Sequence, residues 1–293
     1  MALNVKTASL REGRKNLYIR PRTIDGKHKM NDAWLALLLG IIEGLTEFLP
    51  VSSTGHLILV GDILGFHFPG KTFEIVIQLG AVLAVCVAYW NRLWGAVAGC
   101  VAGDAASRHF VTYILVAFLP AMVIGAMAYK YIRQLLDSPV TVAVALILGG
   151  IAILLIERRV KHAKVHAIED FGLPMALKIG LFQCVSMIPG VSRSGATIMG
   201  ALLMGVERKT AAEFSFFLAV PTMTAATAYK IYKDWALLSF ENAGLIAIGF
   251  IAAFVVALMV VKAAVGFVGK HGFAPFAWYR IGFGLLMLVL LSR

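Results

Sequence analysis

The amino-acid sequence predicts an all-α polytopic membrane protein, with six transmembrane helices and two re-entrant helical hairpins in an inverted repeat. Of the 293 residues, 60% are hydrophobic and only 15% are charged, whereas a soluble domain has about 25% charged residues. Apolar stretches recur along the whole chain, and a stretch of about 20 such residues can cross a bilayer as a helix. Two other apolar segments are interrupted by proline, glycine and polar residues. These observations exclude an ordinary cytosolic enzyme and a disordered chain.

The first 30 residues form a basic tail that we expect to be disordered or to lie upstream of the true start. Residues 1–30 hold eight lysines and arginines against two acidic residues, and the whole chain has a formal net charge of +11. The tail lacks the apolar core of a signal peptide. The other positive charges are spread over loops, which favours cytoplasmic loops and anionic lipid over nucleic acid. We therefore predict one membrane domain over 31–293. The three cysteines exclude a disulfide scaffold.

Six segments have the length and hydropathy of plain membrane spans: 72–90, 111–130, 139–157, 211–230, 243–266 and 277–292. Segments 33–64 and 174–205 differ, because Pro50 and Pro189 stand among hydroxyl and glycine residues at their centres. Proline breaks a helix, and lipid cannot satisfy the backbone groups that the break frees. Such a break is tolerated where it is buried in protein or faces a wet cavity. We therefore predict that each segment is a re-entrant hairpin of two half-helices.

The two broken segments align without a gap at an offset of 140 residues. Gly40 meets Gly180, and residues 51–55 meet 191–195. The spans follow at nearly the same offset, which predicts a first repeat over 33–157 and a second over 174–292. Because each repeat has one hairpin and three spans, the second repeat is expected to be inverted in the membrane. The two tips then meet near the midplane, where the N-termini of two half-helices favour an anion.

Two carboxylates precede the tip of the first hairpin. Glu43 and Glu47 are four residues apart and therefore share a helix face. An ionisable side chain at membrane depth is expensive and usually functional. The pair could bind a divalent cation through oxygen, or one member could act as a general base. The alternative is that both are solvated groups at the membrane surface.

The tip of the first hairpin is rich in hydroxyl groups. Ser52, Ser53 and Thr54 stand at a predicted helix start, where hydroxyls can surround phosphate oxygens and one could be a nucleophile. Gly55 lets the backbone approach a ligand, and His56 can take or give a proton near neutral pH. The alternative is a capped helix start with a core histidine.

The tip of the second hairpin contains an arginine between two serines, followed by glycine: Ser192, Arg193, Ser194 and Gly195. A guanidinium matches phosphate in bidentate fashion, although an interfacial arginine reaching to water is the alternative. Four further residues are left open between a supporting role and a membrane-surface anchor: Glu74, Gln78, Glu213 and Arg280. The residues alone thus indicate a phosphate site in a membrane, in a lipid-phosphate enzyme or in an anion transporter.

Two long motifs point to one family. Residues Glu43–His56, EGLTEFLPVSSTGH, closely resemble the first signature of the undecaprenyl-diphosphate phosphatases, the bacterial family also called bacitracin-resistance proteins. Residues Pro189–Thr197, PGVSRSGAT, resemble its second signature. The resemblance implies an inner-membrane hydrolase that converts undecaprenyl diphosphate to undecaprenyl phosphate and phosphate. It also implies recycling of the lipid carrier for peptidoglycan synthesis, bacitracin resistance, and a requirement for a divalent cation, Mg²⁺ or Ca²⁺.

The same resemblance implies roles for individual residues. The expected catalytic residues are Glu43, Glu47, Ser53, His56 and Arg193. Ser53 would attack the terminal phosphorus with Glu47 or His56 as base, and a water activated by His56 is the rival nucleophile. Glu43 and Glu47 would hold the cation, and the substrate would contact Ser52, Thr54, Gly55, Ser192, Ser194 and Gly195. The competing function is a polyprenyl-phosphate flippase or anion transporter of inverted-repeat architecture. A homodimer is left open, and no nucleic-acid partner is expected.

The loop charges predict an orientation. Loops 91–110, 157–173, 205–210 and 267–276 fall on one face and hold nine lysines and arginines, against six on the other face without the tail. The first face is then cytoplasmic by the positive-inside rule. Including the tail reverses the balance, but a basic tail is hard to translocate and Met30 fits as a start. We therefore expect Ser53 to be approached from the periplasm and Arg158 to lie in the cytoplasm.

Overall fold

The computed structural model describes residues 29–64, 72–136, 138–160, 162–233 and 243–292, and these residues form an all-helical structure without strands. The helices are α1 (Lys29–Thr46), α2 (Ser53–Leu64), α3 (Thr72–Ala88), α4 (Trp90–Ala102), α5 (Ala105–Leu136), α6 (Pro139–Arg159), α7 (Leu173–Val185), α8 (Arg193–Leu203), α9 (Arg208–Lys233), α10 (Ala243–His271) and α11 (Ala274–Leu291). The predicted tail lies outside the described residues, except that Lys29 and Met30 begin α1.

Four of the described helices are long and apolar enough to cross a membrane, namely α5, α6, α10 and α11. Helices α3 and α4 reach that length and hydropathy only together, as a pair bent by 73°. The predicted span 211–230 lies in α9, which is long enough but contains several threonines and falls short in hydropathy. The chain is therefore a polytopic helical membrane protein, in which four of the six predicted spans stand as single apolar helices.

Helix α4 corrects the prediction of a plain loop over 91–110. It follows the bend at Tyr89 and places Trp90, Trp94, Val97 and Val101 along one face, all of them exposed. The two tryptophan rings stack with centroids 5.9 Å apart. A helix of 13 residues is too short to span a bilayer, so its hydropathy alone did not distinguish it from a loop.

Both interrupted segments fold as a pair of helices joined by a non-helical tip. The tip 47–52 separates α1 from α2, and the tip 186–192 separates α7 from α8. Ser52 and Ser192 stand 140 residues apart, and both have a left-handed backbone, with φ of 68° and 75°. Ser52 Oγ accepts a hydrogen bond from Gly55 N at 3.4 Å, and Ser192 Oγ accepts one from Gly195 N at 3.1 Å. This shared local structure supports the duplication.

Each hairpin packs against a long helix of the other repeat. Helix α1 packs on α10, and α7 packs on α5. A Cβ atom added to Gly40 would lie 2.9 Å from Gly249 Cα, and one added to Gly180 would lie 2.9 Å from Ala117 Cα. Glycine at these two equivalent positions therefore permits the close helix contacts. Because each repeat holds the hairpin of the other, the two tips meet inside the protein.

Candidate active site

Glu47 stands at the centre of a buried polar cluster between the two tips. Its Oε2 accepts a hydrogen bond from Ser53 Oγ, and its Oε1 lies 3.1 Å from Arg193 Nη2. Ser53 and Arg193 are the first residues of α2 and α8. Glu47 is 8% exposed and Ser53 is 5% exposed. The cluster therefore joins a hydroxyl, a carboxylate and a guanidinium in a site largely closed to water.

The Arg193 side chain is oriented by α9 and by a phenylalanine. Its Nη1 donates to Ser215 O at 2.7 Å and to Ser215 Oγ at 3.3 Å, and its guanidinium carbon lies 5.7 Å from the Phe48 ring centroid. Thr197 Oγ1 donates to Ser215 Oγ at 2.7 Å. Sequence reasoning missed both Ser215 and Thr197 as supports. Thr197 had a detectable signal, since it lies four residues after Arg193 and shares its helix face.

Glu43 is buried one helical turn before Glu47. It is 0% exposed, and neither carboxylate oxygen has a hydrogen-bond partner. Glu47, Arg193 and Glu74 lie close enough to influence its charge. An unpaired buried carboxylate is costly, and its oxygens are ligands of the kind that Mg²⁺ and Ca²⁺ prefer. The predicted Glu43–Glu47 pair therefore fits a divalent cation.

The other predicted substrate-binding residues also build the tips. Ser194 Oγ donates to Leu49 O at 2.9 Å and lies 3.0 Å from Ser192 Oγ, so it joins the second tip to the first. The main-chain N–H groups of Gly55 and Gly195 donate to the capping serines Ser52 and Ser192. Thr54 is half-buried in the first turn of α2. The capping interpretation thus holds at both tips, and fewer donors remain for phosphate than the sequence suggests.

His56 lies in a separate contact network. Its Nδ1 lies 2.8 Å from Ser52 O, and its Nε2 lies 2.6 Å from Tyr279 Oη. Its ring stacks on Phe283. Within the described residues, the hydroxyl of Ser53 is hydrogen-bonded to Glu47 and not to His56. Of the two predicted bases, Glu47 is the one in contact with the nucleophile candidate.

Arg280 contacts both tips from α11. It is 1% exposed, and its guanidinium donates to main-chain carbonyls at 2.9–3.3 Å. The acceptors are Leu146, Pro50, Val191, Ala145 and Gly190. Pro50 and Gly190 occupy equivalent positions in the two repeats. Arg280 is therefore a support of the tips, which decides between the two roles that the sequence left open.

Two other open candidates lie apart from the central cluster. Glu213 accepts a hydrogen bond from Tyr89 Oη at 3.2 Å, beside the bend between α3 and α4. Gln78 is half-buried on α3. Glu74, by contrast, stands near Glu43. The structure thus separates Glu74 from Glu213, although the repeat alignment placed them at nearly equivalent positions.

Comparison with known proteins gives concordant matches. The family described as bacitracin resistance protein BacA matches residues 36–286. A protein of Paramagnetospirillum magneticum named undecaprenyl-diphosphatase 2 is 63% identical over 257 residues, covering 87% of this chain and 98% of the relative. Undecaprenyl-diphosphatases of Sphingopyxis alaskensis and Parvibaculum lavamentivorans are 64% and 54% identical, covering 86% and 88% of this chain and 95% and 96% of the relatives. The chain therefore belongs to the BacA family.

Proposed function

We propose that this chain hydrolyses undecaprenyl diphosphate to undecaprenyl phosphate and inorganic phosphate in the bacterial inner membrane. The observation that carries this function is Glu47, which is bonded to both Ser53 and Arg193 where the two tips meet. The names of the similar proteins support the same substrate. The product is the lipid carrier of peptidoglycan synthesis, so the activity recycles that carrier and confers bacitracin resistance.

Ser53 is the nucleophile in this mechanism, and Glu47 is its base. Ser53 Oγ attacks the terminal phosphorus and passes its proton to Glu47 Oε2. The bond between that phosphorus and the bridging oxygen breaks, and undecaprenyl phosphate leaves. Water then attacks the phosphoserine, gives a proton to Glu47, and releases phosphate and free Ser53. Glu47 is preferred over His56 because it already accepts the hydrogen bond from the hydroxyl.

Arg193 binds the diphosphate and stabilises the charge that develops during transfer. Its Nε is buried and has no hydrogen-bond partner, while Nη1 is bonded to Ser215. The Nε group is therefore a donor for a phosphate oxygen, in a site where water competes little. The Ser215 bonds keep the guanidinium in place while the substrate enters. Each of these contacts favours charge on transferred phosphate oxygens.

Glu43 and Glu47 are the residues that would hold a divalent cation. The two carboxylates outnumber the one guanidinium that contacts them, so a further anion needs a balancing positive charge. Within the described residues, no group of three or more histidine, cysteine or acidic residues is placed around one metal position. Magnesium is often bound by one or two carboxylates together with substrate phosphates. A bound cation would offset the charge on the leaving phosphate.

The proposed topology has six spans and two re-entrant hairpins, with the second repeat inverted. Helices α3 and α9 supply the two spans that are not single apolar helices, and the equivalent tips at Ser52 and Ser192 support the duplication. The loop charges orient the basic segment 157–173 toward the cytoplasm. In this orientation Ser53 is reached from the periplasm.

Phosphate release from undecaprenyl diphosphate by the purified protein in detergent tests this function. Wild-type protein should release phosphate, and a chelator should stop the release. Ser53→Ala should lower kcat by about a thousandfold or more, while Ser292→Ala, at an exposed position at the end of α11, should leave it unchanged. If Ser53→Ala stays within a few-fold of wild type, Ser53 is not the nucleophile. A protein that moves the lipid across vesicles without releasing phosphate would instead be a flippase.

A further inference from the structure

The imidazole of His56 is held in one orientation by aromatic rings. The residue is 5% exposed. The Phe283 ring stacks on the imidazole with centroids 4.2 Å apart and planes 7° apart. The Tyr279 ring is nearly parallel to it, with centroids 5.5 Å apart. Because this layer restricts rotation of the ring, the partners of its two nitrogens define what the side chain can do.

Each nitrogen of the His56 ring has a partner that fixes its role. A carbonyl oxygen can only accept, so Nδ1, which lies 2.8 Å from Ser52 O, carries the hydrogen. In the neutral ring, Nε2 then accepts the hydroxyl proton of Tyr279 at 2.6 Å. A general base needs a lone pair directed at the proton that it removes. Neither nitrogen offers such a lone pair to Ser53.

The carbonyl that receives this bond belongs to a strained residue. Ser52 has a left-handed φ of 68° and directly precedes Ser53. In the second hairpin, the equivalent carbonyl of Ser192 accepts the main-chain N–H of Ala196 at 3.0 Å. In the first hairpin, the corresponding main-chain bond, from His56 N, is longer, at 3.4 Å. The short bond to Ser52 O therefore comes from the imidazole, and only the hairpin with the nucleophile candidate has it.

We propose that His56 is a hydrogen-bond donor that holds the Ser52 corner, and that Tyr279 is a positioning residue that keeps His56 in the donor tautomer. Together they aim the Ser53 hydroxyl at Glu47. This inference rests on the proposed phosphatase activity and adds Tyr279 to the residues that serve it. Proton transfer stays with Glu47.

Replacement of His56 by side chains of different donor geometry tests the donor role. Asparagine places an amide N–H near the position of Nδ1 and takes up no proton near neutral pH, whereas glutamine places its amide farther out. His56→Asn should keep kcat within about tenfold of wild type, the effect of one imperfect hydrogen bond. His56→Ala and His56→Gln should lose about a hundredfold in kcat with little change in KM, because the nucleophile is misplaced. Equal inactivity of all three variants would overturn the proposal.

Tyr279→Phe tests the positioning role, because phenylalanine keeps the ring stack and removes the hydroxyl. It should lower kcat by about fivefold, while Tyr131→Phe, at a 69% exposed position on α5, should have no effect. If Tyr279 acts through His56, its replacement should cause no further loss in the His56→Ala protein. Independent, multiplicative losses would refute this link.

The tautomer of His56 can be measured without any activity. A difference spectrum of ¹⁵N-histidine-labelled wild type and His56→Asn isolates the ring signals of His56. We expect a protonated Nδ1 and an unprotonated Nε2 at pH 8. The opposite tautomer would overturn the donor role. Wild-type protein that shows the expected tautomer but releases no phosphate would instead count against the proposed phosphatase function, so the two failures are distinguishable.

Discussion

Replacing Arg280 with methionine tests whether one buried guanidinium holds the two hairpin tips together. Methionine has a similar length and fits an apolar helix, but it donates no hydrogen bond. The substitution therefore removes all five bonds from Arg280 to main-chain carbonyls without opening a large cavity. Helix α11 should still form, because its other residues are unchanged.

The expected loss follows from the carbonyls that are left behind. Those of Ala145 and Leu146 belong to α6, within its helical ladder, whereas those of Pro50, Gly190 and Val191 lie in the non-helical tips. A buried carbonyl without a partner costs about 1–3 kcal/mol. Loss of a buried, hydrogen-bonded charge typically costs about 3–5 kcal/mol in total. We expect a decrease of that size in the free energy of unfolding, and a lower Tm by roughly 10 °C.

Thermal unfolding in one detergent, followed by size-exclusion chromatography, measures this effect. Arg208→Met is the matched control, since Arg208 is 43% exposed and bonds only Glu157 among the described ion pairs, a class worth about 0–1 kcal/mol. Arg280→Lys should fall between the two, because an ammonium has three donors. If Arg280→Met unfolds within about 2 °C of Arg208→Met, other contacts hold the tips and the reasoning fails.

Three further predictions concern the site and the topology. Arg193→Lys should lose nearly as much kcat as Arg193→Ala, because a single ammonium cannot bond both Glu47 and Ser215; near-normal turnover of the lysine variant would mean that Arg193 supplies only charge. Glu43→Gln and Glu47→Gln should raise the Mg²⁺ concentration needed for half-maximal phosphate release or abolish it, and an unchanged cation dependence in both would exclude this pair as ligands. A cysteine introduced as His162→Cys should resist an impermeant thiol reagent added to whole cells, and labelling from outside would overturn the proposed orientation.

The broken helices were predictable because their signals are local. Proline and a run of polar residues inside an apolar segment mark a break wherever they occur, and both breaks lie where the sequence placed them. The bend at Tyr89 has no proline or glycine at that position, so the amphipathic helix α4 was read as a loop. In α9, threonines lower the hydropathy of a long helix whose buried face packs inside the protein. Tertiary packing decides such cases, and a hydropathy window does not contain it.

The site was predictable to the extent that its residues lie within the two motifs. Glu47, Ser53 and Arg193 come together as expected. The contacts of Tyr279 and Arg280 join residues more than 200 positions apart to the first tip, and no local pattern specifies them. Their only sequence signal is a lone polar or charged side chain in an apolar helix. For an arginine, that signal alone is a reason to expect a function or a buried contact.

The two repeats have diverged at equivalent positions, and this divergence produces a single asymmetric site. At the offset of 140, Ser53 corresponds to Arg193, Glu47 to Met187 and His56 to Ala196. The first residues of α2 and α8 therefore differ, as a nucleophile candidate in one and a guanidinium in the other, and both bond to the same carboxylate. Two identical tips would have placed two serines or two arginines around that point. A hydroxyl beside its base needs an opposing cation to hold phosphate, and duplication followed by exchange of one residue type supplies both across the pseudo-symmetric contact.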